Sequence, residues 1–95
     1  MTTPPAADPF DEFLGEEVVI DLRSPFVCLG KLVAIDRVFL TVIDADLHDF
    51  RDSRATREIY VHDSARLGIR RNRKRVLVNR EELVAIGRLS DVLEA

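Results

Sequence analysis

The densest chemistry in this chain is a run of cations. Arg70, Arg71, Arg73, Lys74 and Arg75 place five bases in positions 70–75, and the stretch 66–80 adds Arg66 and Arg80 without a single acid. Clustered guanidinium and ammonium groups neutralise phosphates and release their counterions. A run of this kind therefore points to salt-dependent, sequence-tolerant contact with a nucleic-acid backbone. Only Tyr60 and His62 stand nearby as groups able to stack on bases. The competing use of the same cations is pairing with acids of the same chain or of a neighbouring copy, for assembly or solubility. Partners for that exist at Asp44 to Asp52 and at the N-terminus, where residues 1–22 hold six acids (Asp8, Asp11, Glu12, Glu16, Glu17, Asp21) and no base. A formal charge of −3 thus conceals an acidic beginning and a basic later stretch.

The other reactive types are sparser. His48 and His62 flank Asp46, Asp49 and Asp63, the raw material of a general base or a metal site. No nucleophile motif, glycine-rich phosphate loop or HExxH spacing accompanies them, so they read as solvated loop residues. Accordingly no catalytic residue, metal ligand or cofactor is assigned, and the chain reads as a non-enzyme. Cys28 is the single cysteine and sits inside an apolar run, which makes it a buried, inert thiol unable to form an internal disulfide or a cysteine-based zinc cluster.

The element that must position these groups is a β domain centred on Phe26 to Asp46. Its two apolar runs are rich in β-branched residues and separated by Asp36-Arg37, the pattern of two strands and a very tight turn. Gly30 interrupts the first run and marks a bulge or sharp bend. Leu32, Ile35 and Phe39 are core. Ninety-five residues make one domain, and a chain of this size buries only about 60 to 65% of its unfolded surface. With 46% apolar residues but five Phe, one Tyr and no Trp, its core is aliphatic, and oligomerisation is a natural way to bury more.

Around this centre the chain divides as follows. Residues 1–9, with three of the four prolines, read as a flexible tail, 10–90 as the domain and 91–95 as a C-terminal tail. A short helix is expected from Asp8 to Leu14, capped by Asp8 and stopped by Gly15. Val18, Ile20 and Leu22 alternate as a half-buried first strand, and Arg23-Ser24-Pro25 turns the chain. Between Leu47 and Lys74 there is room for an element of its own. Thr56 can cap a helix through Leu67 with Ile59, Tyr60 and Ala65 to Leu67 as its apolar face and Gly68-Ile69 as its stop, although Ile-Tyr-Val leaves a strand at Glu58 to His62 as the alternative. A fourth strand over Val76 to Asn79, a tight turn at Glu81-Glu82 and a last strand over Leu83 to Leu89 complete the domain. The N-terminus lacks the pattern of a secretory signal, and no stretch approaches the roughly 18 apolar residues of a membrane span, so a cytoplasmic location and no membrane partner are expected.

The order Gly30, Leu32, Ile35, Asp36, Phe39, Ile43, ending in Asp44 and Asp46, resembles the first signature of Sm and Sm-like (LSm) proteins. Arg75-Val-Leu-Val-Asn-Arg-Glu-Glu-Leu-Val-Ala-Ile looks like a diverged second signature, the strand pair that closes the barrel, and Phe13-Leu-Gly-Glu-Glu-Val-Val-Ile-Asp-Leu resembles the end of the family's N-terminal helix and its first strand. The resemblance implies a mainly β fold: a small, strongly bent, five-stranded antiparallel barrel of SH3-like kind with an N-terminal helix. To this the long link between strands 3 and 4 adds an extra helix. Gly30, Asp36 and Phe39 are the structural positions of the signature. The resemblance also implies a homo-oligomeric ring, a hexamer or heptamer, and single-stranded RNA as partner. The family's base-reading pocket falls on Val38, Leu40 and Asn79, and valine offers no π-face and leucine no donor or acceptor, so that pocket is missing here. Arg80 stands one place after the family's arginine. Two readings remain open. One is an RNA-binding ribonucleoprotein scaffold or RNA chaperone working through Arg70, Arg71, Arg73, Lys74, Arg75 and Arg80. The other is a protein-interaction or assembly module that has lost RNA binding.

Overall fold

Strand β2 (Phe26–Ile35) runs antiparallel to both β1 (Glu17–Leu22) and β3 (Phe39–Asp49), and its shape is decided at Gly30. In the computed structural model, which describes residues 8–52 and 56–93, β3 crosses so close above Gly30 that a Cβ there would meet Val42 Cγ1 at 2.6 Å and the Ile43 carbonyl oxygen at 2.8 Å. The pairing slips at this point: Leu29 faces Asp46, but Lys31 faces Ile43. Two residues of β3, Asp44 and Ala45, oppose one of β2. Asp44 absorbs the extra residue with a left-handed φ of 49°, which aspartate tolerates better than most side chains. The turn at Asp36 is held just as locally. Its Oδ1 accepts the backbone N–H groups of Val38 at 2.8 Å and Phe39 at 2.7 Å, an Asx turn that starts β3 in register.

The remaining elements are helix α1 (Arg57–Leu67), β4 (Arg73–Asn79) and β5 (Leu83–Arg88), with single 3-10 turns at Asp11–Phe13, Phe50–Asp52, Arg80–Glu82 and Leu89–Asp91. The sheet order is β4-β3-β2-β1-β5. Bending at Gly30 curls this sheet around an inner core of Val18, Ile20, Cys28, Leu32, Leu40, Val42, Ala45 and Val78, over which Phe10 and Phe13 pack. The strand pair implied to close the barrel does not join within one chain. β4 is bonded only to β3 and β5 only to β1, because the Arg80–Glu82 turn carries the chain across the opening and is tied instead to Arg23, whose N–H donates to the Glu82 carbonyl at 2.8 Å. Both edges stay free.

Helix α1 forms where expected, and the strand alternative at Glu58 to His62 does not. Thr56 Oγ1 accepts the Ile59 N–H at 3.3 Å, and Gly68, at φ 100°, donates its N–H to the Ser64 carbonyl at 3.0 Å. Its packed side differs from the expected one. Tyr60, Val61 and the buried Ser64 approach the sheet, whereas Ile59 is 54% and Leu67 72% exposed and Ala65 is exposed. At about 100° per residue, Ile59 points away from the side shared by Tyr60, Val61 and Ser64. The helix, Phe50 and the Leu89–Asp91 turn cover the outer face of the sheet at Val19, Val27 and Leu29. That second cover explains why Val19 is buried where a half-buried alternation was expected, and why β1 and β2 are apolar on both faces.

Three further boundaries differ from expectation. The N-terminal helix is only the 3-10 turn Asp11–Phe13, since the six residues before Gly15 are too few for helix propagation to offset nucleation. Gly15 instead donates its N–H to the Leu32 carbonyl at 2.7 Å. β4 begins at Arg73, not Val76, and β5 ends at Arg88. The tail expected over 1–9 lies outside the described residues except for Asp8 and Pro9, and of the C-terminal tail residues 94–95 lie outside them.

Replacing Gly30 by Ala pushes a methyl group into backbone atoms of β3, so the variant is expected to lose about 2–3 kcal/mol of stability. Gly87→Ala has nothing within 4 Å of the new Cβ and should change stability by less than about 0.5 kcal/mol. Urea melts of the two variants beside the parent check the contrast; equal losses would count against the close crossing at Gly30.

Candidate nucleic-acid interface

The basic run is held at two points. After α1, Ile69 packs into the outer cluster with Val27 and Leu29. Three residues later Asn72 is stitched to the end of β3: its backbone N–H donates to Ala45 O at 2.8 Å, its Nδ2 to Asp46 Oδ1 at 3.0 Å and Leu47 O at 3.1 Å, and its Oδ1 accepts the Leu47 N–H at 3.0 Å. Between these anchors Arg70 and Arg71 are exposed, and Arg73, Lys74 and Arg75 follow, also exposed, on the first half of edge strand β4. Among the described residues none of the five is in an ion pair. Arg73 donates only to the Asn72 carbonyl, at 3.0 Å. The structure therefore presents five cations to solvent on an anchored turn, which is what phosphate contact needs. Asn72, which carries no charge and drew no notice in the sequence, is the residue that sets this turn; its only signal was its place inside the run.

Beneath the turn lie the residues that resembled acid–base chemistry. Because β3 continues to Asp49, Asp46 and His48 are strand residues under α1, not solvated loop residues. Asp46 is almost wholly buried, its Oδ2 has no hydrogen-bond partner among the described residues, and burial pushes its carboxyl above the ordinary range, opposed by His48 and Arg70. The His48 ring stacks on Tyr60, centroids 4.0 Å apart and nearly parallel, and meets Phe50 edge-on at 5.1 Å. Tyr60 is thus spent inside the molecule and is not offered to a base. Asp49 pairs with Arg51 at 2.7 Å, and Asp63 lies 3.9 Å from Arg66. Among the described residues no cluster of His, Cys, Asp and Glu is arranged to hold a metal. Burial, with the charge of Asp46 adding to it, pushes the Cys28 thiol up to about 12, so it is unreactive at neutral pH.

Arg80 is placed apart from the five. It stands beyond the far end of β4, on the order of 20 Å along the strand from Arg73, and its guanidinium is engaged at home. Nη1 donates to Asp8 Oδ2 at 2.8 Å and to the Asp36 carbonyl at 2.7 Å, while the group lies over the Phe10 ring at 4.7 Å. The Phe10 N–H and Arg80 hold the Asp8 carboxyl below its usual range. Arg88 does a parallel task, lying over Phe13 at 5.1 Å and donating to the Glu12 carbonyl. Two arginines thus fasten the N-terminal turn over the barrel mouth. At the positions of the base-reading pocket, Val38 is exposed, Leu40 is fully buried, and Asn79 Oδ1 accepts the Glu81 N–H at 2.9 Å. None of the three can read a base edge.

No family model matches the chain, and no curated protein matches it in sequence. Among solved structures it is similar to the Sm protein of Pyrococcus abyssii, which was solved in complex with a uridine heptamer. The match has a TM-score of 0.57 at 16% identity and covers 86% of this chain and 99% of that one. The fold is Sm-like.

Asn72→Ala leaves the Leu47 N–H and Asp46 Oδ1 without their side-chain partner and is expected to cost about 1–3 kcal/mol, read as a lower urea midpoint. Asp46 gives a pH signature. Because its folded pKa lies above the unfolded value near 3.8, folding takes up a proton between the two, and stability from this group rises as pH falls through that window and is lost as pH rises through it. Parent protein should therefore gain on Asp46→Asn as pH is lowered from neutral toward 4, and a gap independent of pH would contradict the burial of this carboxylate.

Proposed function

We propose that this protein is an Sm-like, ring-forming RNA-binding scaffold that grips single-stranded RNA by its phosphates through Arg70, Arg71, Arg73, Lys74 and Arg75. The observation that carries the reading is the freedom of these five cations: they are exposed, pinned by Ile69 and Asn72, and unpaired with any acid among the described residues. An RNA strand laid on them releases counterions and binds without base discrimination. Base reading at Val38, Leu40 and Asn79 has no chemistry to support it, which separates this mode from the pocket that the resemblance implies. The likeness to a protein solved with a uridine heptamer supports RNA as the ligand class.

The two free sheet edges support assembly. β4 and β5 present unpaired backbone rows at opposite ends of one sheet, so β4 of one copy can extend β5 of the next, head to tail, until a ring of six or seven closes. A ring repeats the basic turn on every subunit, and several weak phosphate clamps on one strand act together. A barrel kept only for assembly is the other reading, favoured by the replaced pocket.

The test is a titration of labelled single-stranded RNA of about 30 nucleotides against nuclease-free protein from low to physiological salt. Binding that falls steeply with salt is expected, and Arg70→Ala/Arg71→Ala/Arg73→Ala should flatten the log–log slope by about 2, at roughly 0.7 per phosphate contact on a single strand. Parent protein that binds nothing at low salt, or a triple variant with unchanged slope, would overturn the RNA reading.

A further inference from the structure

Beside the free edge of β5 lies a groove of about 700 Å³, formed where α1 and the chain after the Leu89–Asp91 turn stand proud of the sheet. Its floor is Val19, Asp21, Ala85 and Gly87, and its walls carry Ile59 and Val92. Ala85 and Gly87 face this side because they pair with Asp21 and Val19, the outward positions of β1. With a methyl group and a hydrogen as their side chains, they leave an apolar trough along the edge. Ile59, 54% exposed, borders it.

The opposite edge of the same molecule carries a matching shape. On β4, Val76 and Val78 turn inward to the core, so Arg75 and Leu77 share the outer face, and Leu77 is 44% exposed. When β4 of one copy extends β5 of another, the alternation of side chains puts the incoming outer face on the side of Ala85 and Gly87. Charge fits as well. Glu58 on the groove wall and Arg75 two residues from Leu77 are both without an ion pair among the described residues.

Resting on the edge-to-edge assembly proposed above, we infer that the groove is the socket of the subunit interface: it receives Leu77 of a second copy against Ile59, Ala85 and Gly87, with Arg75 of that copy facing Glu58. The helix between β3 and β4 then has a role in addition to covering the sheet. It makes one edge of the molecule a shaped receptor for the other edge, and burial of Leu77 and Ile59 adds apolar contact to backbone pairing. Head-to-tail use of two different surfaces permits closure into a ring without a two-fold axis.

Two single-cysteine proteins test this, both carrying Cys28→Ser: one with Ile59→Cys, the other with Leu77→Cys. Light scattering of the Cys28→Ser parent reports whether it assembles. The two proteins are then mixed, exchanged and oxidised, and the products read by mass. The expected result is an assembled parent and a disulfide joining the two different variants, several-fold in excess of either self-pair. An assembled parent without that mixed disulfide overturns the socket while leaving edge pairing standing, whereas a monomeric parent overturns the assembly beneath it. A charge exchange guards against a cysteine variant that fails to assemble. Glu58→Arg should weaken association about fivefold, and Glu58→Arg/Arg75→Glu should restore it, as expected for one surface ion pair. No rescue by the double variant counts against the facing pair.

Discussion

The structure depends on one close crossing, that of β3 over Gly30. With a hydrogen in place of a side chain, β2 bends enough to belong to two parts of the sheet, pairing its first half with β1 and the last residues of β3 and its second half with the start of β3. The curl that follows brings Val18, Ile20, Leu32, Leu40 and Val42 into one sealed core. It also throws β4 and β5 to opposite edges. Everything presented to solvent, from the basic turn to the groove beside β5, takes its position from that bend.

A second constraint is the covering of the outer face. A small antiparallel sheet usually turns one face to water, but here α1, Phe50 and Leu89 bury Val19, Val27 and Leu29 as well. The helix occupies the link between β3 and β4, so its far end must return to β4 exactly where β3 leaves off, and the Asn72 hydrogen bonds make that return. The cations at 70–75 are therefore the exposed seam between an apolar anchor and a strand. The arrangement divides the molecule electrically: Arg80 and Arg88 satisfy the acids of the N-terminal turn, while the five bases across β4 face no acid.

Much of the fold could be read from local chemistry. The bend at Gly30, the Asx turn at Asp36, the Thr56 cap and the Gly68 stop each depend on side chains within a few positions, and each forms as those residue types dictate. The helix face could not be read so well. Ile59, Tyr60, Val61 and Leu67 are all apolar, and only the direction in which α1 docks selects Tyr60 and Val61 for burial. His48 and Asp46 were misread for a related reason: nothing near them in sequence shows that a helix residue, Tyr60, will stack on one and that Asn72 will bond the other.

By itself the sequence determined the strand centre, its bend and turn, the helix boundaries, and the presence of five clustered cations without a base-reading pocket, because all of these rest on residue type and short spacing. Tertiary structure alone decided that the cations are free of internal partners, that Arg80 is committed to Asp8 and Asp36, that the outer face is covered, and that a groove opens beside the β5 edge. Those outcomes join residues up to 72 positions apart, as in the Arg80–Asp8 pair, and pairing over such distances follows from how the sheet curls.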